Sequence, residues 1–264
     1  MHSISHIHYN GPRVHCITNI VAANDTANIL LAMGARPIMA QAEEEMGEIT
    51  PNCNALLLNM GTPTADRHRA MLAAGKAAND AGIPVVVDLV GVGGSDFRLR
   101  FAKKLLAEVR CACIKGNMTE LMSIVTDCLQ HSGVDDVGAA VSEESLMQFA
   151  RKMGCTVAVT GAVDLITDGN VIYRVHNGHP LMGQVTGSGC MLGGVIAAFL
   201  SVNNTVSQVK NAVAAMGLCG ESAAERMGAF DGNATYRNYL IDSWCHISDN
   251  DIQKGANYEK EYKK

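Results

Sequence analysis

The chain has 264 residues, 48% hydrophobic and 18% charged, which is enough apolar material for one large packed domain or two small ones. Its 21 lysines and arginines against 26 aspartates and glutamates leave a net charge of −5, and no basic run exceeds a pair before Lys263-Lys264. This balance argues against nucleic acid and anionic membrane as partners, and no stretch of about 18 uninterrupted apolar residues marks a membrane span, so the expected partners are small molecules.

Taken in chain order, short apolar runs alternate with helical patterns, the rhythm of an α/β fold with a mainly parallel sheet. Residues 1–11, with His2, His6 and His8, read as a mobile terminus rather than a metal tract. A strand at 14–18 precedes a helix at 22–33; strands at 37–39 and 55–59 precede a helix at 65–81; and a strand at 84–88 precedes a helix at 97–109. A strand at 112–114, helices at 119–129 and 143–153, and a strand at 156–160 follow. Residues 164–167 and 171–175 flank Asp168-Gly169-Asn170, a hairpin signal. Helices are then predicted at 190–200, 206–227 and 235–247, and the polar residues from 249 onward read as a fraying tail. No linker or repeat divides the chain, so 1–264 reads as a single domain. Nine cysteines, an odd number without CxxC pairs and behind no signal peptide, point to reduced thiols in the cytoplasm.

In such folds ligands sit beyond the carboxyl ends of the strands. There the sequence collects Thr18-Asn19 with Asn24, Met39-Ala40-Gln41, Asn59-Met60-Gly61-Thr62, a run from Asp88 to Gly94, Lys115-Gly116-Asn117 and Thr160-Gly161. Each piece alone also fits a turn or cap, as Asn117 to Glu120 fits a capping box. Together they supply a cation, hydroxyls, glycine anion sites and two carboxylates, Asp88 and Glu120, able to hold Mg²⁺ directly or through water. This is equipment for phosphoryl transfer, in which positioning and charge neutralisation do most of the catalysis. No Walker A motif is present, and Gly187-Ser188-Gly189 lacks the third glycine of a dinucleotide fingerprint, where Leu192 stands. Thr186-Gly187-Ser188-Gly189-Cys190 opens an apolar helix and reads as an anion cradle, because first-turn amides lack intrahelical partners. The same field favours a thiolate at Cys190, which could serve as base, nucleophile or ligand. A glycine cap before a packed cysteine is the alternative.

The chain resembles the hydroxyethylthiazole kinase family of the ribokinase-like superfamily over nearly its whole length. The resemblance is carried by Val14-His15-Cys16-Ile17-Thr18-Asn19, the run from Leu31 to Ala40, Asn59-Met60-Gly61-Thr62, Gly75-Lys76-Ala77-Ala78-Asn79 and the run from Pro84 to Gly93. Further carriers are Lys115-Gly116-Asn117, Val157 to Gly161 with Asp164, and Asn177 to Met182 leading to Thr186–Cys190. It implies a three-layer ribokinase-like sandwich with a central, mostly parallel sheet, and ATP-dependent phosphorylation of the hydroxyl of 4-methyl-5-(2-hydroxyethyl)thiazole in thiamine biosynthesis or salvage, with Mg²⁺. Carried over by position, the substrate residues are Met39, Gly187, Asn19 and Asn24, and the ATP residues Lys115, Thr160 and Asn117. Glu120 and Asp88 serve the metal, and Cys190, Gly189 and Gly187 the chemistry. The resemblance also implies a homotrimer with sites between subunits.

Three departures stand out. Leu89 replaces a usual proline after the aspartate, Lys115 replaces a usual arginine, and Asn24-Asp25 brings a carboxylate where an apolar residue is commoner. Two rivals remain: a same-fold kinase for a pyrimidine or pyridoxal-type alcohol, and a cysteine hydrolase pairing Cys190 with His179 or His176.

Overall fold

Leu56, Leu57 and Leu58 have no exposed surface, which three consecutive strand residues achieve only when both faces of their sheet are covered. The computed structural model describes residues 3–130 and 142–262; His2, Lys263 and Lys264 lie outside them. Its elements are α1 (Ser3–Asn10), β1 (Arg13–Ile17), α2 (Ala23–Ala32), β2 (Arg36–Ile38), α3 (Met46–Ile49), β3 (Ala55–Asn59), α4 (Ala65–Asp80) and β4 (Val85–Asp88). There follow α5 (Asp96–Glu108), β5 (Cys113–Asn117), α6 (Met118–Gln130), α7 (Glu143–Met153), β6 (Thr156–Thr160), β7 (Asp164–Thr167) and β8 (Val171–Val175). The chain ends in α8 (Ser188–Val202), α9 (Val206–Glu225), α10 (Asn233–Ser243), α11 (Asp249–Gly255) and β9 (Tyr258–Tyr262).

The strands form one sheet in the order β2-β1-β3-β4-β5-β6-β7-β8-β9. The first six are parallel, and the last three join antiparallel through the hairpin at Asp168-Gly169, where Gly169 takes φ +90°. Alternate strand residues feed two cores. Val14, Leu57 and Val86 face α1, α2 and α8 to α11, whereas Leu56, Leu58 and Val87 face α4 to α7. The result is three layers, helix on sheet on helix. α8 is the centre of the first layer, buried from Cys190 to Leu200 on all sides. Gly193 permits its close seat on the sheet: a Cβ there would stand 3.0 Å from Leu57 Cδ1 and 3.3 Å from Asp88 Oδ2.

Three expectations change. The fifth strand runs on to Asn117, so Lys115 lies within the sheet and not in the loop after it. Residues 3–10 form a helix that buries Ile4 and Ile7, and the Asp249 carboxylate accepts from the Ile4 and Ser5 amides at 2.9 and 3.0 Å, tying the two ends of the fold together. Residues 258–262 add the edge strand β9, whose side chains are all exposed. Its pairing is through the backbone, so no apolar alternation announces it.

Candidate active site

The carboxyl ends of β1, β3, β4 and β5 meet the first turn of α8. Gly187, with φ +84°, turns the chain into that helix, and a Cβ there would stand 2.9 Å from Ala22 Cβ. Ser188 N donates to Val185 O at 3.3 Å and Met191 N to Gly187 O at 2.8 Å, which leaves the Gly189 and Cys190 amides of the first turn without an intrahelical acceptor.

A continuous run of hydrogen bonds crosses the strand ends. Asn19 Nδ2 donates to Cys190 Sγ at 3.1 Å and to Asn59 Oδ1 at 3.0 Å, and Asn59 Nδ2 donates to Asp88 Oδ2 at 2.7 Å. Lys115 Nζ donates to Asp88 Oδ1 and to the Gly189 carbonyl, each at 2.9 Å, which returns the run to α8. Asp88 and Lys115 are both buried. Burial works against the charge on Lys115, but the Asp88 carboxylate overcomes it and holds the ammonium pKa above the usual lysine value. Burial pushes the Asp88 pKa up while Lys115 and Asn59 pull it down. We take the pair as ionised, because each ion has a second polar partner in contact. The Cys190 thiol departs from expectation. Burial and then the Asp88 charge raise its pKa, and Lys115, Asn59 and Asn19 offset this only in part. Desolvation of the thiolate is the largest effect on this thiol.

Glu120 joins two loops: Oε1 accepts from Gly91 N and Oε2 from Asn117 N, both at 2.8 Å, while Asn117 Oδ1 accepts from Glu120 N at 2.9 Å. The capping box and the functional reading thus coexist. Asp88, like Glu120, has both oxygens in hydrogen bonds with protein partners. Among the described residues no three His, Cys, Asp or Glu side chains gather to hold a metal. These two carboxylates fit a hydrated ion approached through water.

Thr160, whose hydroxyl donates to Gly116 O at 3.4 Å, stands at the mouth of a cavity of about 530 Å³. Asp164, Asn177, His179, Ser188, Gly189 and Met216 also line it. Burial pushes the Asp164 carboxyl up to about 6. The histidines proposed as partners of Cys190 are engaged elsewhere: His176 lies 3.4 Å from Glu259, and His179 Nδ1 accepts from Leu181 N. Met39 packs partly buried against the core beyond β2, at the sheet edge. Asn24 is exposed and its Oδ1 accepts from Asn28, so it takes no part in the run through Cys190. Asp25 lies 3.9 Å from Arg237, which balances the carboxylate noted above.

Sequence reasoning puts Asn59 on the strand-end surface without giving it a role, and one site residue escapes it altogether. Arg67, in the first turn of α4, is buried and donates to the carbonyls of Thr18 and Thr62 and to Thr62 Oγ1, clamping two site loops and holding Thr62 at φ 43°. Nothing in its local sequence separates it from a surface helix arginine.

The profile of the hydroxyethylthiazole kinase family matches residues 4–250. The chain belongs to this family. It is 41% identical to hydroxyethylthiazole kinase of Clostridium acetobutylicum, over 97% of both chains, and 43% identical to that of Moorella thermoacetica, over 95% of this chain and 93% of the relative. The solved hydroxyethylthiazole kinase protein from Pyrococcus horikoshii OT3 superposes with TM-score 0.87 at 34% identity, covering 98% of this chain and 97% of that one. Pyridoxal kinase from Staphylococcus aureus, in complex with AMP-PCP, shares the fold at TM-score 0.62 and 14% identity, over 95% of this chain and 98% of that one. The fold is therefore ribokinase-like, as the hydroxyethylthiazole kinase resemblance implied. Within this family framework the missing proline has a local compensation. The Leu89 amide, which proline would lack, donates to Lys115 O at 2.8 Å, and its side chain is buried.

Proposed function

We propose that the protein transfers the γ-phosphoryl group of ATP to the hydroxyl of 4-methyl-5-(2-hydroxyethyl)thiazole, in thiamine biosynthesis or salvage. The hydroxyl oxygen bonds to the γ-phosphorus as the bond to the β,γ-bridging oxygen breaks, ADP leaves, and the hydroxyl proton is lost late in the transfer, by way of the Cys190 sulfur it faces, to solvent. The observation that carries this reading is the convergence of the α8 amides, the Lys115 cation and the Asn19-bonded Cys190 sulfur on one point beyond the sheet. The amides receive the charge of the moving phosphoryl group, the larger catalytic contribution. The phosphoryl transfer asks little of a base until the hydroxyl proton is nearly lost, so Cys190, with its raised pKa, acts as an acceptor that orients the hydroxyl.

Thr160 faces the nucleotide in the cavity of about 530 Å³; Asn117, at the end of the neighbouring strand β5, approaches it from outside that lining, and Lys115 supplies charge from beneath the phosphates. Glu120 would hold, through water, an Mg²⁺ ion carried on ATP, and that ion would supply neutralisation of phosphate charge. Gly187, Asn19 and Met39 serve the thiazole side. Asn24 reaches substrate only across a subunit boundary, consistent with a homotrimer whose sites are shared. Ile20 and Val21, 76% and 58% exposed beside Asn19, suit such burial. The eight described cysteines are all free, which suits a cytoplasmic protein.

A coupled ADP-release assay with ATP, Mg²⁺ and a panel of thiazole, pyrimidine and pyridoxal alcohols tests the assignment. Turnover is expected with the thiazole alcohol; turnover only with another alcohol overturns it.

A further inference from the structure

We propose that Asn59 is a positioning residue that anchors the Asn19 amide nitrogen from which the hydrogen bond reaches Cys190, so that the sulfur is held as an acceptor beside the reacting hydroxyl. The inference rests on the kinase reading above for the presence of that hydroxyl.

Backbone amides dictate the directions. Gly61 N is a donor and meets Asn59 at 3.0 Å, so the atom it meets is Oδ1; Nδ2 then faces the Asp88 carboxylate, an obligate acceptor in its ionised state. Val21 N and Ala22 N both donate to Asn19 Oδ1, at 3.1 and 3.0 Å, so Asn19 presents only its Nδ2 to Asn59 Oδ1 and Cys190 Sγ. No amide in the run can flip without setting donor against donor. Asn59 itself has no exposed surface, and with Asn19 it offsets in part the rise that burial and the Asp88 charge impose on the Cys190 thiol. On the Asn19 side the sulfur can therefore only accept. Its remaining lone pair or proton points away from the amides, where an alcohol would sit, and the anionic form of the sulfur is favoured over what burial alone would leave.

A double-mutant cycle separates this role from packing, with kcat and the ATP KM measured for wild type, Asn59→Leu, Cys190→Ala and the double variant. Asn59→Leu is expected to lower kcat by about tenfold with ATP KM changed less than about twofold, the loss of one hydrogen bond to a charged or polarised acceptor. In the Cys190→Ala background the same change is expected to cost less than about twofold, since no sulfur remains to be oriented. An equal loss in both backgrounds overturns the proposal and leaves Asn59 a packing residue. A second measurement stands independently of kinase activity: alkylation of Cys190 by iodoacetamide, quantified on its own peptide because Cys245 is exposed. The rate is expected to fall about tenfold in Asn59→Leu, since the thiolate is the nucleophile; an unchanged rate overturns the proposal even if no alcohol is phosphorylated. Asn59→Ser, smaller and polar, takes the place of Leu should that variant not fold, with the same expectations.

Discussion

Cys190 shows at the residue scale how burial outweighs the polar and cationic partners of a thiol. Its sequence context favours a thiolate, yet desolvation and the Asp88 charge raise its pKa, and a weak base suffices for a loose transition state. Cys190→Ala is expected to retain activity, with kcat down by about tenfold to a hundredfold, at or below the low end of general-base contributions, and Cys190→Asp to recover part of the loss. Steady-state turnover checks this; abolition by Ala without any recovery by Asp refutes an orienting role. Asp164 supplies a pH dependence. Its pKa, raised by burial from 3.8 to about 6, means that the folded state favours the neutral carboxyl. Its contribution to stability is therefore greatest at low pH and is lost as pH rises through about 6. Because Asp164 lines the cavity assigned to the nucleotide, ionisation also sets a negative charge against ATP. Binding of a non-hydrolysable ATP analogue should weaken from pH 5 to 7 more in wild type than in Asp164→Asn, by calorimetry; parallel curves would remove Asp164 from the site.

At the scale of elements, most helices and strands were legible because periodicity and burial agree. The runs at 55–59 and 84–88 read as strands of a mainly parallel sheet, and they form β3 and β4, with every residue of both strands buried. β5 was cut short because Lys115, Gly116 and Asn117 look like loop residues; a buried ion pair keeps a lysine inside a strand, and local pattern cannot show its partner 27 positions away. α8 starts where the glycines announce it, two residues before the predicted start. Gly187→Ala should destabilise the protein by about 1–2 kcal/mol from the left-handed backbone alone, and more through the contact with Ala22. A larger fall in kcat than in ATP affinity is expected as the first turn of α8 shifts. Urea denaturation and steady-state kinetics would read both, and a variant of wild-type stability and turnover would show that the turn is not strained.

At the scale of the whole molecule, the chain end reaches the site. Asn257 N donates to Asn177 Oδ1 at 2.7 Å, His176 N donates to Asn257 O at 2.9 Å, and Asn177 Nδ2 donates to Gly255 O at 3.1 Å, so the segment read as a fraying tail anchors a wall of the cavity. Truncation after Ala256 should raise the ATP KM by about tenfold, since two hydrogen bonds of about 1 kcal/mol each are lost, with kcat less affected. A truncated protein with unchanged ATP KM would separate tail from site. By itself the sequence determined the layered α/β fold, the family, the strand-end surface and the glycine entry to α8, because these depend on local periodicity, backbone freedom and the order of segments. Only the tertiary structure decided that Asp88 serves Lys115 and Asn59, that the Cys190 thiol is raised, that Asp25 is balanced by Arg237, and that both chain ends are built into the fold. Those outcomes depend on burial and on partners distant in sequence, and the free energy of a buried charge is set by its surroundings rather than by its neighbours along the chain.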